Sequence, residues 1–416
     1  MSPPTLPLTS DSHPFLLATP SEASRLRSPR IQGWCPGALQ PMRAGDGWVV
    51  RVRPPGGRLT QAQAAGIAAL ATQHAADAIE LTGRANLQLR GVSDAAYPPL
   101  LAGLQALGLV DSEVSAESRR NLLVTPFWAE GDGTTTLAVA LAAALGQGDA
   151  PALPAKFGFA LDTGPLPVMR AAPADIRIER SGDAYRVYAD GFATGARAGA
   201  DEVVPLALSL AQWFIDTTAS RTGRQRMAAL AATDAQLPPR FADLAVPSAS
   251  AYQPRLGAVT QGLLVGFEFG QLSASTLTAL SALAPMRLTP WRSLLIEGID
   301  QLPDLPDLIT RTDDKRLRLS ACTGAPACAQ AAGVTRPLAR ALAASLPAGK
   351  TLHVSGCTKG CAHPSAALTV VATRDGYDLI HHGNAASPPD ARGLSPSALA
   401  LELQKLEQTT EHATPL

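Results

Sequence analysis

The amino-acid sequence predicts an α+β fold with a two-fold internal repeat. The order strand, Gly/Pro turn, Ala-rich helix and strand starts after Gly45 and occurs again from Leu263, and a longer mixed α/β segment follows each copy. Residues 237–254 are rich in Pro and Ser, which is typical of a linker between two halves. Duplicated halves commonly place a ligand in the cleft between them, so we expect the active site there.

The first copy begins with a predicted strand at residues 48–53 and a turn at residues 54–57. A helix should follow from Thr60, whose hydroxyl is suited to capping the first helical turn. A predicted strand at residues 79–91 closes this copy.

The second copy repeats the same elements. A strand is predicted at residues 263–269, a helix capped by Ser273 should run to about residue 283, and a returning strand is predicted at residues 286–296. Residues 289–292 stand where residues 82–84 stand in the first copy.

The composition indicates a globular protein without a long-range electrostatic field. Hydrophobic residues make up 46% of the 416 residues, and Lys+Arg and Asp+Glu number 35 each. A net charge of zero gives no broad attraction to nucleic acid or to anionic membranes, so any anion site must be local. The longest strongly apolar stretch, residues 137–145, is shorter than the roughly 20 residues that span a bilayer. With no secretory signal visible, we expect a cytoplasmic protein.

Four of the five cysteines fall in two close pairs, which indicates metal binding in a reducing compartment. Cys322 and Cys328 form a C-x5-C pair, Cys357 and Cys361 form a C-x3-C pair, and 28 residues separate the pairs. Four thiolates can hold an iron-sulfur cluster or a structural zinc, and four unrelated buried thiols are the third alternative. Zinc ribbons favour C-x2-C spacing. The first loop is expected to lead into a helix from Ala329.

Basic and amide side chains follow the first copy of the repeat. In a strand alternate side chains share a face, so the predicted strand places Arg84, Asn86, Gln88 and Arg90 together. The remaining candidates for an anion site are Arg51, Arg53, Arg120, Asn121 and Lys156. Arg grips carboxylates bidentately through its planar fork. The alternative interpretation is the solvated outer face of an antiparallel sheet.

The cysteine pairs carry a family resemblance. Ala-Cys-x5-Cys at 321–328 and Gly-Cys-x3-Cys at 356–361 resemble the 4Fe-4S signature of the sulfite and nitrite reductase family, in which the last cysteine also bridges the cluster to a sirohaem iron. By that resemblance Cys361 is the bridging residue. Residues 377–384 resemble the closing strand and Gly-Asn turn of the family, and the match covers nearly all of residues 30–400.

The resemblance implies two ferredoxin-like half-domains and two mixed α/β domains of the nitrite/sulfite reductase type. The predicted organisation is a flexible leader (1–29), half-domain 1 (30–110), α/β domain 1 (111–236), the linker (237–254), half-domain 2 (255–310), the 4Fe-4S cluster domain (311–405) and a tail (406–416). We expect a monomer.

The resemblance also implies that basic residues surround a tetrapyrrole. Residues 153–157 (LPAKF) resemble the Leu-Pro-Arg-Lys-Phe motif of the reductases. By position, Lys156, Arg120 and Lys359 are the catalytic candidates, and the basic and amide residues named above are the substrate-binding candidates. The second catalytic lysine of the reductases is Gly158 here, and the usual Asn of the last cysteine loop is Lys359. These departures argue against direct reduction of sulfite.

Several motifs are similar to those of the precorrin-3B synthase branch of this family. They are WCPG at 34–37, GDG at 45–47, RVRPPGG at 51–57, RANLQLRG at 84–91 and SGCTKGCAHP at 355–364. This resemblance implies oxygen-dependent hydroxylation of precorrin-3A at C20 with lactone formation, in aerobic cobalamin biosynthesis. It also implies a mononuclear non-haem iron beside the cluster, with precorrin-3A and dioxygen as partners.

The ligand of such an iron is expected to be His363, since His363, His381 and His382 lie near the cysteine segment while His13 and His412 lie in the predicted tails. A surface histidine that only forms hydrogen bonds is the alternative. Cys35 is expected to be a buried or half-buried thiol without a redox role.

Two other functions remain open from the sequence. A sirohaem-dependent sulfite or nitrite reductase would bind sirohaem as a prosthetic group, and a non-catalytic protein would bind a cluster, zinc or a tetrapyrrole without turnover. Metal analysis and turnover of a tetrapyrrole distinguish these functions.

Overall fold

A computed structural model describes residues 34–221, 225–248, 252–363 and 365–411. The predicted leader, His13 and His412 lie outside the described residues. The chain divides into a large unit that ends at Leu319 and a small unit that begins at Ser320.

The helices of the described chain are α1 (Gln61–His74), α2 (Tyr97–Ala106), α3 (Val114–Arg119), α4 (Thr134–Gly146), α5 (Val203–Thr218), α6 (Met227–Ala231), α7 (Ala274–Ser281), α8 (Arg336–Leu342) and α9 (Pro396–Glu411). None of these helices combines the length and the apolar character that crossing a membrane requires.

The strands of the large unit are β1 (Met42–Ala44), β2 (Gly47–Val52), β3 (Arg58–Leu59), β4 (Ala78–Leu81), β5 (Leu87–Val92), β6 (Leu122–Val124), β7 (Phe159–Asp162), β8 (Ile176–Ser181), β9 (Ala184–Ala189), β10 (Thr194–Ala198), β11 (Leu244–Ala245), β12 (Gly257–Val259), β13 (Gly262–Phe267), β14 (Gln271–Ser273), β15 (Met286–Leu288), β16 (Leu294–Glu297) and β17 (Leu308–Ile309). Those of the small unit are β18 (Leu319–Ala321), β19 (Leu352–Ser355), β20 (Ala367–Thr373), β21 (Gly376–Gly383) and β22 (Ala391–Leu394).

The two copies of the repeat exchange one strand each. The first sheet has the order β1-β2-β5-β4-β14, and the second has the order β12-β13-β16-β15-β3. Strand β3 leads into α1 but joins the sheet of the second copy, whereas β14 leads into α7 but joins the sheet of the first. Helices α1 and α7 pack against each other, and both copies contribute to one apolar core. The predicted internal repeat is therefore confirmed.

Both predicted helix caps are confirmed. Thr60 Oγ1 accepts a hydrogen bond from the N–H of Gln63 (3.1 Å), and Gln63 Oε1 accepts one from the N–H of Thr60 (3.1 Å), which is a capping box. In the second copy, Ser273 Oγ accepts from the N–H of Thr276 (3.1 Å). The same kind of N-terminus thus begins α1 and α7.

The prediction of one strand at residues 79–91 is wrong, because a turn at residues 82–86 separates β4 from β5. Thr82 Oγ1 accepts hydrogen bonds from the backbone N–H groups of Arg84 (3.3 Å) and Asn86 (3.2 Å), and Ala85 has φ +50°. A residue at positive φ lies outside the β region, so the strand ends there. Arg84 and Asn86 are consequently turn residues.

The prediction of one strand at residues 286–296 is wrong for the same reason. Thr289 Oγ1 accepts from the N–H groups of Trp291 (3.2 Å) and Ser293 (3.3 Å), and Arg292 has φ +57°. The hydroxyl-stabilised turn is therefore part of the repeat.

A third sheet of the large unit, with the order β11-β10-β9-β8-β7-β6, packs one face against α4 and α5 in a second apolar core. Strand β11 pairs with β10 although it lies in the predicted linker. Part of residues 237–254 thus belongs to a sheet.

Asp162 ends β7 and holds the following loop. Its Oδ2 accepts hydrogen bonds from the N–H groups of Val168 (2.7 Å) and Met169 (2.6 Å), and the residue is buried. Burial is the main cause that raises the pKa of Asp162 to about 6, and the nearby charge of Glu179 adds to it. The folded state therefore binds the proton of Asp162 more tightly than the unfolded chain does.

The small unit contains one sheet with the order β18-β19-β20-β21-β22, and α8 and α9 pack against each other. The predicted strand and Gly-Asn turn at residues 377–384 are confirmed by β21 and by Asn384, whose C=O accepts from the N–H of Ser387 (3.0 Å). The predicted helix from Ala329 is wrong, because the next helix, α8, begins at Arg336. The N–H of Ala332 donates instead to Gly356 O (2.8 Å), so this segment is bonded to the other cysteine loop.

We expect Asp162→Asn to stabilise the fold at neutral pH. Because the folded pKa of Asp162 lies above its ordinary value, the wild-type chain loses stability as pH rises from about 4 to about 6, and the amide variant would not. The variant should gain roughly 2 kcal/mol at pH 7 and little at pH 4. Denaturant unfolding of both proteins at the two pH values measures the difference. An equal gain in stability at both pH values would contradict burial of the Asp162 carboxylate as the cause.

Candidate functional site

A row of polar side chains crosses the first sheet. Arg51, Gln88 and Glu80 are neighbours in the register of β2, β5 and β4. Arg51 Nη2 donates to Gln88 Oε1 (3.0 Å), and Gln88 Nε2 donates to Glu80 Oε2 (2.7 Å). The alternate residues of these strands, such as Val50 and Leu89, are fully buried on the opposite face. The amide of Gln88 therefore fixes the position of the Arg51 guanidinium.

Arg51, Arg53 and Arg84 all interact with one thiol, that of Cys35, and form the arginine cluster. All three guanidinium groups interact electrostatically with Cys35, and Arg51 lies within hydrogen-bonding reach of its thiol. Arg51 N–H donates to Gly37 O (3.1 Å), which brings the segment that carries Cys35 against β2. No local pattern in the sequence predicts this contact, because it depends on the pairing of two distant segments.

Arg53 is buried, and Arg51 and Arg84 are half-buried, so the guanidinium groups of the cluster are only partly solvated. Burial lowers the pKa of Arg51 to about 10; the Cys35 thiol opposes this shift, and the like charges of Arg53 and Arg84 add to it. Burial is also the largest cause that lowers the pKa of Arg53 and of Arg84. An anion that enters the cluster would raise these pKa values back toward the ordinary value of arginine.

The carboxylates that attract the cluster are engaged by other groups. Asp111 pairs with Arg120, and Asp175 pairs with Arg226. The third, Glu117, accepts hydrogen bonds from backbone N–H groups, including that of Ala38 (2.6 Å). Asp111 and Asp175 are thus shared with other arginines, whereas Glu117 keeps its negative charge near Arg53.

Arg53 is 4% exposed, and its two terminal nitrogens bind backbone carbonyls, those of Glu117 and Pro36. The Nε atoms of Arg51 and Arg53 are buried and have no hydrogen-bond partner among the described residues. A buried donor without an acceptor costs roughly 1–3 kcal/mol, which favours binding of an anion.

Arg84 extends from its turn to the segment that carries Lys156. Arg84 Nη2 donates to Lys156 O (3.0 Å). Asn121 Nδ2 donates to the carbonyls of Ala155 (3.2 Å) and Phe157 (3.1 Å) on either side. Asn121, a predicted substrate-binding residue, therefore uses its amide nitrogen to hold this segment, and Lys156 is placed beside Arg84.

Two other predicted substrate-binding arginines form ion pairs within the protein. Arg120 binds both oxygens of Asp111 (2.7 and 2.8 Å) and donates to Arg53 O (3.0 Å). Arg90 binds both oxygens of Asp46 (3.1 and 3.0 Å). Arg120 thus supports the backbone of Arg53.

The four cysteines of the two pairs lie in loops of the small unit. The first pair follows β18, the second follows β19, and Gly356 N–H donates to Cys322 Sγ (3.2 Å). Cys357 interacts electrostatically with Cys361, Cys328 and Cys322. The structure therefore brings the two pairs together.

Burial raises the pKa of the Cys357 thiol, and the nearby sulfurs add to this shift, while the backbone N–H of Lys359 opposes it. The Lys359 side chain is exposed. In the described ranges no three His, Cys, Asp or Glu side chains are arranged to hold a single metal ion. A tetrahedral zinc site would require all four sulfurs about 2.3 Å from one point.

His363, the predicted iron ligand, has Nδ1 3.1 Å from Ser365 O. Its ring lies 5.8 Å, between centroids, from that of His353, a fully buried residue of β19 that was not among the predicted site residues. The sequence feature that could have drawn attention to His353 is its place in an apolar strand just before the second cysteine pair. His381 and His382 are both exposed, and the backbone N–H of His381 donates to Asp390 Oδ2 (2.7 Å).

Comparison with known proteins shows similarity to one family model and to two relatives. Residues 40–107 match the nitrite/sulfite reductase ferredoxin-like half domain. The chain is 30% identical over 400 residues to a precorrin-3B synthase from Sinorhizobium sp, which covers 86% of this chain and 85% of the relative. It is 27% identical over 387 residues to the ferredoxin–nitrite reductase of Synechococcus elongatus, which covers 77% of this chain and 75% of the relative.

Among solved structures, the Mycobacterium tuberculosis NirA protein superposes with a TM-score of 0.57 over 88% of this chain and 81% of that one, at 17% identity. At this identity the likeness concerns the fold alone.

We expect Arg51→Met to make the unliganded protein more stable. The variant removes a charge whose burial is unfavourable, so at pH 7 the free energy of unfolding should rise by about 1–2 kcal/mol. Above pH 10 the gain should shrink, because wild-type Arg51 begins to lose its proton there. The control Arg311→Met removes an exposed, ion-paired arginine and should leave stability almost unchanged. Denaturant unfolding measures the free energy of unfolding of both variants. A loss of stability in Arg51→Met would contradict the claim that burying the Arg51 charge is unfavourable.

Proposed function

Because this chain belongs to the precorrin-3B synthase family, we propose that it hydroxylates precorrin-3A at C20 with dioxygen and forms the lactone of precorrin-3B, a step of aerobic cobalamin biosynthesis. One oxygen atom enters the macrocycle. The other is reduced to water by two electrons and two protons from a reductant.

The arginine cluster is the observation that carries this proposal. Three guanidinium groups interact with one thiol, two of them keep an Nε without a partner among the described residues, and two of the nearby carboxylates, Asp111 and Asp175, pair with other arginines. A site of this kind favours a ligand with several carboxylates, which the substrate of this family has. In a poorly solvated site each ion pair is stronger than in water.

We assign the residues of the cluster separate roles. Arg51 and Arg84 bind carboxylates of the macrocycle. The protein bonds described above use Nη2 of each guanidinium, so Nη1 of each is assigned to the ligand. Arg53 contributes its charge and its Nε. Arg120 is a positioning residue for Arg53, in place of the catalytic role predicted from sequence. Lys156, whose backbone carbonyl binds Arg84, supplies a further cation for the ligand.

We also propose that Cys322, Cys328, Cys357 and Cys361 hold a 4Fe-4S cluster. All four donors are thiols, their loops meet in the small unit, and backbone N–H groups of Gly356 and Lys359 point at two of the sulfurs, as iron-sulfur sites require. Such a cluster supplies one-electron transfer when bound. His363 stays our assignment for a ligand of a mononuclear iron, and Lys359 for a cation near the cluster.

The direct test is incubation of anaerobically purified, cluster-loaded protein with precorrin-3A, a reductant and ¹⁸O-labelled dioxygen. The proposal predicts a product that carries one labelled oxygen. Reduction of nitrite or sulfite without labelled product would instead support a reductase.

Cys328→Ser should lose most of its iron and acid-labile sulfide, because a cubane needs four thiolate ligands. Cys35→Ser is the matched control and should keep both, since Cys35 belongs to neither cysteine pair. Iron and sulfide analysis of the two variants after identical reconstitution measures this. Equal iron and sulfide content in both would refute the cluster assignment.

Arg84→Ala should weaken binding of a tetrapyrrole that carries free carboxylates by about tenfold to a hundredfold, because one charge-assisted hydrogen-bonding group is lost. Quenching of porphyrin fluorescence measures the affinity. The control Arg311→Ala removes an exposed arginine (78% side-chain exposure) of the same unit and should bind as the wild type does. Unchanged affinity of Arg84→Ala would remove Arg84 from the site.

A further inference from the structure

Gly158 has no side chain where Arg84 passes over the backbone. A Cβ atom at this position would lie 3.2 Å from Arg84 Nη1 and 3.1 Å from Asn121 O. The φ angle of Gly158 is not in the left-handed region, so the backbone conformation does not require glycine. Glycine at this position therefore leaves room for the Asn121 carbonyl and for the Arg84 guanidinium.

The backbone around Gly158 is held on both sides and has little freedom to move. Gly158 N–H donates to Asp175 Oδ2 (3.0 Å), and the N–H of Asp175 donates back to Gly158 O (2.7 Å). Asp175 is fully buried. The N–H of Phe159 donates to Asn121 O (2.9 Å), which fixes the second neighbour of the missing Cβ.

A side chain at position 158 would consequently displace the Arg84 guanidinium before it displaced the backbone. The guanidinium is the far end of a flexible side chain, and its bond to Lys156 O (3.0 Å) is the contact that would be lost. A methyl group is enough, because both distances are shorter than ordinary Cβ contacts.

We propose that Gly158 is a positioning residue for Arg84: its open space lets the guanidinium reach Lys156 O, and this bond fixes the position from which Arg84 binds a carboxylate of the ligand. This inference rests on the proposed function for the identity of the ligand. The position of Arg84 itself is a property of the unliganded protein and can be tested without it.

A double-mutant cycle tests this coupling. The proteins are wild type, Gly158→Ala, Arg84→Ala and the double variant, and the probe is uroporphyrin, a soluble porphyrin that carries carboxylates. Gly158→Ala should weaken binding about tenfold in the wild-type background and less than about twofold in the Arg84→Ala background. An equal loss in both backgrounds would overturn the inference, since the added methyl would then act through Asn121 or the segment itself.

Gly148→Ala is the matched control. Gly148 is exposed, and a Cβ there would meet no atom within 4 Å, so this variant should bind as the wild type does. The control separates a local effect at position 158 from a general effect of replacing glycine.

The same four proteins are compared by denaturant unfolding without ligand. Gly158→Ala should lower the midpoint in the wild-type background and change it much less once Arg84 is removed. The unfolding measurement tests the coupling between Gly158 and Arg84 even if the wild type does not bind uroporphyrin. Failure to bind would count against the proposed function alone. If Gly158→Ala does not fold, recovery of folding in the double variant supports the coupling, and failure of both contradicts it.

Discussion

Partial burial of three like-charged guanidinium groups near the Cys35 thiol is the interaction on which the proposed site depends. Like charges that are withdrawn from water raise the free energy of the folded state, and the lowered pKa values of Arg51, Arg53 and Arg84 express this. A polycarboxylate ligand would remove the same energy when it binds. The unfavourable term in the free protein thus becomes binding energy, as expected for a preorganised anion site.

The rest of the large unit holds these groups in place. Gln88 links Arg51 to Glu80 across the sheet, the Thr82 turn aims Arg84 out of the strand, and Asn121 holds the segment that Arg84 reaches. Each element holds these groups through backbone or amide hydrogen bonds. The turn itself belongs to the repeat, because Thr289 makes the same turn in the second copy.

Features with local signals could be predicted from the sequence. The caps at Thr60 and Ser273, the repeat, and the gathering of the cysteine pairs all follow from spacing and residue type. The turn at residues 82–86 was missed because the polar and apolar alternation continues through it, although Thr82 and the positive φ of Ala85 end the strand. Residue type alone also cannot show that Arg120 is bound to Asp111 while Arg51 is bound to the amide of Gln88, because that depends on tertiary contacts.

The central claim is that charge on the ligand, rather than the shape of an apolar macrocycle, drives binding to the arginine cluster. The most direct measurement compares the affinity of the wild-type protein for a porphyrin with free carboxylates and for the same porphyrin with its carboxylates converted to methyl esters. The account predicts that the ester binds at least about a hundredfold more weakly, because every ion pair is lost. Equal affinity for the two ligands would contradict it.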